Sequence, residues 1–239
     1  MAYLENQEKT DFGYIRDNLF RIREECAARA DALGLPQPRL VAVTKSATNE
    51  EVIALVRDFG HREIAENRTS LFCERYGLFE DGERPQMHLI GSLQTNKVKY
   101  IAGKTDLIHS LDSERLAQEI EKQAAKRDVT IRVLMEINSA KEEAKGGILP
   151  EEAERFAESL AVYPHLVLSG VMTMGPVLSD SEGYRPYFRR TAAILRRLTD
   201  KGYIKEGDAV LSMGMSDSFG VAIEEGATIV RVGRALFRK

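Results

Sequence analysis

Apolar positions along the chain fall into short runs separated by amphipathic stretches. The first stretch places Ile15, Leu19, Ile22, Cys26, Ala30 and Leu33 three or four residues apart, which lines one face of a helix. Gly34 and the prolines at 36 and 38 end it. Apolar runs then recur at 40–45, 62–67, 86–91, 106–111, 131–138, 166–174, 209–214 and 228–233. The stretches between them read as helices at 49–59, 67–77, 94–102, 113–127, 150–162, 182–200 and 217–225. Asn49, Ser113 and the Ser216-Asp217 pair stand where capping residues are expected. Several strand runs are continuously apolar, as parallel strands buried on both faces are.

Eight strands alternating with helices predict a (β/α)8 TIM barrel of the α/β class, with an extra N-terminal helix, as one domain over 1–239. A doubly wound open sheet is the alternative. The 239-residue length suits a barrel, and 43% hydrophobic with 30% charged residues suits a chain that folds in water. The net charge of −3 offers no basic field for nucleic acid or an acidic membrane surface. No apolar run reaches the roughly 18 residues of a membrane span, and the polar, acidic start is unlike a signal peptide. The two cysteines, Cys26 and Cys73, form no metal or redox motif, and a cytoplasmic setting is expected.

In a parallel barrel the C-terminal strand ends form the functional mouth. Lys45 closes the first run, Asn67 the second and Asn138 the fifth; Ser212, Met213 and Gly214 close the seventh and Arg231 to Gly233 the eighth. A lysine at the end of so apolar a run is expected to be desolvated and nucleophilic toward an aldehyde, or else simply to reach solvent. The Gly- and Ser-rich loops at 211–218 and 230–234 suit phosphate, through backbone N–H groups and a helix start at Ser216, or are ordinary turns. Arg231, between Val230 and Val232, is expected to face the interior and to need a partner, Glu136 being one candidate. His88 reads as a core histidine.

The motifs VAVTK (41–45), AEN (65–67), HLIGSLQTNK (88–97), NSAKEEAKGGI (138–148), LSGVMTM (168–174), LSMGMSDS (211–218) and VRVGRALF (230–237) occur in order. Together they resemble the pyridoxal phosphate homeostasis protein family, which is similar to the barrel domain of alanine racemase. The resemblance implies pyridoxal 5'-phosphate on Lys45 as a Schiff base. It implies Asn67 lining the pocket and Arg231 facing the pyridine nitrogen. The phosphate would lie against Ser212, Gly233 and neighbouring groups among Met213, Gly214 and Ser216. Ala65 stands where the family usually has glycine and Arg234 where threonine is frequent, and no glycine follows Phe237.

An arginine cannot accept a proton from the pyridine, so the ring would be a weak electron sink. No second domain is expected to supply an opposing acid or base. The reading is a monomeric protein that holds the cofactor and hands it to dependent enzymes, without catalysis of its own. An amino-acid racemase and a cofactor-free Schiff-base lyase are the alternatives. Lys145 is either a surface amine for aldehyde transfer or a solvated lysine.

Overall fold

The structure is a computed structural model, and it describes residues 11–142 and 146–239. Eight parallel strands close into a barrel in sequential order: β1 (Arg39–Val43), β2 (Glu63–Glu66), β3 (Gln86–Leu89), β4 (Leu107–Leu111), β5 (Ile131–Glu136), β6 (Leu166–Met172), β7 (Val210–Ser212) and β8 (Ile229–Val232). The last strand pairs with the first, Val41 lying opposite Arg231. The helices are α1 (Gly13–Ala32), α2 (Asn49–Ile53), α3 (Thr69–Tyr76), α4 (Val98–Ile101), α5 (Glu114–Ala125), α6 (Ala153–Ser159), α7 (Arg185–Asp200), α8 (Phe219–Glu224) and α9 (Arg234–Phe237). A π-helical turn, Ala54–Asp58, continues α2. Every predicted strand run holds one strand, and the (β/α)8 barrel is the fold.

The period of two along each strand sorts side chains between two layers. Val41, Ala65, Leu107, Leu134, Met172, Val210 and Ile229 fill the barrel interior. Their neighbours Leu40, Ala42, Ile64, Met87, Ile108, Val133, Leu211, Val230 and Val232 pack outward against the helices. Both layers exclude water, which is why these runs lack polar alternation. Arg231 shares the inward face with Ile229, and Glu66 shares the outward face with Ile64.

Helix α1 buries Ile15, Leu19, Ile22, Cys26 and Ala30, as its spacing predicts. Leu33 is a correction: the helix stops at Ala32 and Leu33 is left exposed. α1 docks on the barrel's last two helices, where the Asn18 amide donates to the carbonyls of Leu236 and Arg238 at 3.2 and 2.8 Å. Arg29 pairs with Glu224 of α8 at 2.8 Å.

The capping residues also differ from expectation. Thr48, not Asn49, caps α2: its hydroxyl accepts from the Glu51 N–H while the Glu51 carboxylate accepts from the Thr48 N–H. Ser113 precedes α5, but its hydroxyl goes to Asp112. Helix α8 begins at Phe219, so Ser216 and Asp217 lie in the loop before it. Among the described residues, no helix is long and apolar enough to cross a membrane.

Candidate cofactor site

Val41 and Val43 face inward on β1, and Lys45 continues that alternation beyond the strand end, at the barrel mouth. Strand β1 stops at Val43, so Lys45 already sits in the following turn and is exposed. The expected desolvation of its amine is therefore corrected: the apolar run carries the chain to the mouth, and the turn releases the lysine into it.

Two buried groups fasten that turn. The Thr44 hydroxyl donates to Glu66 at the end of β2. The Arg75 guanidinium, on α3, donates to the Ala47 carbonyl at 2.6 Å. Arg75 Nε lies 3.6 Å from Glu66 Oε1, and both side chains are almost fully buried. Burial pushes the Glu66 carboxyl up to about 7, against the opposing pull of the Thr44 hydroxyl and of Arg75. The turn closes on itself through the Ala47 N–H and the Thr44 carbonyl, 3.0 Å apart. Neither Glu66 nor Arg75 stood out in the sequence; the Glu-Asn pair ending β2 was the available signal.

Asn67 follows β2 beside Lys45 and is half-buried. It lines a cleft of about 590 Å³ with Arg68, Ser92 and Lys97.

Beside the end of β1, the loops after β7 and β8 approach each other. Gly214 adopts φ +86°, and a Cβ there would lie 2.5 Å from that of Ala222. A Cβ on Gly233 would come 2.9 Å from the Val43 carbonyl oxygen, so only glycine lets the β8 loop close against the end of β1. Some loop donors are already used: the Met213 N–H goes to the Ile229 carbonyl, that of Met215 to the Ser218 hydroxyl, and that of Ala235 to the Ser216 hydroxyl. Among the described residues, the N–H groups of Gly214, Ser216 and Gly233 have no such acceptor. Three unused backbone donors in two neighbouring glycine-bearing loops are the kind of set that binds an anion. Arg234 pairs with Asp217 at the rim.

The floor of the mouth is polar. Arg231, 3% exposed, donates to the Ser212 hydroxyl at 2.6 Å and to the Thr173 carbonyl at 3.0 Å. Two expectations are corrected here. Glu136 makes no direct ion pair with Arg231, whose guanidinium bonds to groups of β7 and of the segment after β6, although the Glu136 charge still acts favourably on it. The Ser212 hydroxyl points into the barrel rather than toward the loops. It also meets His109 Nδ1 at 3.0 Å, and His109 Nε2 meets His88 Nδ1 at 3.0 Å. His109, missed in the sequence reading, sits inside a run whose alternation already placed it inward.

Glu136 ends β5, which lies opposite β1 in the closed order. It borders a cavity of about 200 Å³ with Asn138 and Thr173. Burial, assisted by Asp112, pushes its carboxyl up to about 7. Asn138 instead caps its own loop, donating to the Glu142 carbonyl at 2.9 Å. Lys145 lies outside the described residues.

The family description "Alanine racemase, N-terminal domain" matches residues 15–238. A curated protein of Aquifex aeolicus named pyridoxal phosphate homeostasis protein is 41% identical over 225 residues, 92% of this chain and 96% of that protein. The chain belongs to the pyridoxal phosphate homeostasis protein family. Solved structures share this barrel. One from Bifidobacterium adolescentis, described as an unknown protein, matches with a TM-score of 0.86 and 33% identity, covering 94% of this chain and 95% of that one. PipY of Synechococcus elongatus, with pyridoxal phosphate (PLP) bound, matches with a TM-score of 0.79 and 25% identity over 93% and 99%.

Proposed function

We propose that this chain binds pyridoxal 5'-phosphate as a Schiff base on Lys45, and that it takes up, holds and releases the cofactor rather than catalysing a reaction with it. The observation that carries the reading is a juxtaposition at the mouth: a lysine on a braced turn after β1, and a glycine-lined set of unused N–H groups on the adjoining β7 and β8 loops. The unused N–H groups of Gly214, Ser216 and Gly233 suit the phosphate, with the Met213 side chain buried in the core beside them. The Ser212 side chain supports the floor rather than the phosphate. Asn67 would border the aldehyde end, and Arg231 would lie toward the ring nitrogen.

The cofactor supplies an aldehyde that captures amines and a ring that withdraws electrons. Arg231 has only N–H groups to offer, so it cannot draw a proton from the ring nitrogen, and electron withdrawal stays weak. Such a site retains a reactive aldehyde and lets amines displace it. A monomeric barrel of one domain in the cytoplasm, with PLP-dependent enzymes as recipients, belongs to the same reading.

The test is the visible absorbance of the purified protein, followed by borohydride reduction and intact mass. One cofactor mass is expected on the wild-type chain and none on Lys45→Ala. A Lys45→Ala protein that keeps its visible band after dialysis overturns the assignment.

One observation favours a racemase instead. Glu136 stands across the barrel from Lys45 with its carboxyl held near neutrality, as an acid or base in proton transfer would be. That reading requires exchange of amino-acid Cα hydrogen with deuterated water, dependent on Glu136. No exchange across a panel of amino acids removes it.

A further inference from the structure

The barrel interior holds a row of polar groups that cofactor binding does not by itself require. It begins near the N-terminal face, where Arg39 grips Glu63 through bonds of 2.8 to 3.1 Å. Glu63 Oε2 lies 3.9 Å from His88 Nε2, a nitrogen with no hydrogen-bond partner among the described residues. The row continues through His88 and His109 to Ser212 and ends on Arg231 at the mouth. His88, His109, Ser212 and Arg231 are all at least 97% buried. They come from β3, β4, β7 and β8.

The direction of each bond follows from donor counting. Arg231 only donates, so Ser212 Oγ accepts from it. The single Ser212 proton then has one acceptor on its other side, His109 Nδ1. Were Nδ1 protonated instead, Ser212 would accept twice and its own proton would be left unpaired in a fully buried place, which is costly. His109 Nδ1 is therefore bare and its proton sits on Nε2, donated to His88 Nδ1. His88 in turn carries its proton on Nε2, facing the Glu63 carboxylate. The opposite direction would strand the hydroxyl proton and aim a nitrogen lone pair at a carboxylate. Burial pushes both imidazoles down, His88 to about 3, so both are neutral.

We infer that Glu63, His88, His109 and Ser212 form a relay along the barrel axis that positions Arg231 beneath the cofactor ring. By donating to His109, Ser212 becomes a stronger acceptor for Arg231. The guanidinium is pinned there and at the Thr173 carbonyl, which holds it in one orientation at the mouth. His109 and His88 are positioning residues; neither touches the ligand.

The last step rests on the PLP reading, but the first measurement does not. In ligand-free protein labelled with ¹⁵N-histidine, long-range ¹H–¹⁵N correlation reads the protonation of each ring nitrogen among only four histidines. Both His88 and His109 are expected to be neutral, bare at Nδ1 and protonated at Nε2. A protonated Nδ1 in His109, or an imidazolium at either site near pH 7, overturns the relay.

The second measurement is cofactor release. His109→Asn restores an acceptor for Ser212, and its release rate and absorbance maximum should stay near wild type. His109→Leu removes that acceptor, and release should quicken about tenfold, the cost of one buried hydrogen bond. A folded His109→Leu protein with the wild-type rate and spectrum also overturns the positioning role. If the leucine variant fails to fold, the wild-type ring protonation still decides. If the wild-type protein loads no cofactor while its histidines show the expected pattern, the PLP reading fails and the relay stands.

Discussion

Arg75 reaches from α3 to the carbonyl of Ala47, 2.6 Å away, and so grips from behind the turn that presents Lys45. The same guanidinium is the buried cation beside Glu66, which holds the Thr44 hydroxyl one residue before the lysine. Position and charge balance are thus coupled in one cluster under the mouth.

Removing both members of that pair should cost less than the two separate removals added together. Arg75→Met leaves Glu66 buried without its cation, and a loss of about 3–5 kcal/mol is expected. Combined with Glu66→Gln, the total should be clearly less than the sum of the single losses, since contacting groups are not additive. Urea unfolding of the four proteins measures this directly. Additive losses would mean that the two side chains act independently on the turn.

The β7 and β8 loops make a steric prediction. Gly233→Ala sets a methyl group 2.9 Å from the Val43 carbonyl oxygen, so β1 and the loop must separate. Overpacking of this kind costs about 1–3 kcal/mol. Because Gly233 also borders the proposed phosphate site, cofactor retention should fall more than the melting temperature suggests. Equal retention by the variant would place the phosphate elsewhere.

Much of this was legible in the sequence, for a physical reason. Both faces of each strand are covered, so the strands appear as apolar runs, and their alternation sends Arg231 and His88 inward. The failures are equally physical. Strand β1 ends two residues earlier than the apolar run suggests, which leaves Lys45 exposed in the turn. Ser212 and His109 are 103 residues apart and meet only because the barrel closes. Arg75 sits on a short helix whose outer surface is polar, and nothing local distinguishes it from a solvated arginine.

Stability should depend on pH in two stages. His61 is pushed down to about 4 and His88 to about 3, chiefly by burial, and His109 lies well below its ordinary 6.5. Below about 6.5 the unfolded chain takes up these protons and the folded chain does not, so stability falls as pH falls. Glu66 and Glu136, raised to about 7, act in the opposite sense. Their contribution is full below 4.5 and is lost as pH rises through 7. Between 6.5 and 4.5 three groups oppose two, a net slope of about 1.4 kcal/mol per pH unit for one proton. Below 4.5 the two carboxyls are protonated in both states, and the histidine slope is no longer offset. Chemical denaturation midpoints should therefore fall gently to about pH 4.5 and steeply beneath it. A stability maximum near pH 5 would show that the histidines are not buried as neutral groups.

Helix α1 links the scaffold to the site through α8 and α9, which follow the two loops of the proposed phosphate site. Ile22 is fully buried on its inner face, and Phe20 is 65% exposed on its outer face. Ile22→Ala should cost about 2–5 kcal/mol through the lost apolar burial and the cavity left behind, whereas Phe20→Ala should stay within about 0.5 kcal/mol. The informative comparison is with ligand binding. If α1 holds the two short helices in register, Ile22→Ala will also speed cofactor release under conditions where the protein remains folded, and Phe20→Ala will not. Release unchanged in Ile22→Ala, at a temperature where circular dichroism shows a native barrel, would mean that the loops keep their arrangement without α1. Their own contacts, Gly214 packed on Ala222 and Gly233 on Val43, would then suffice.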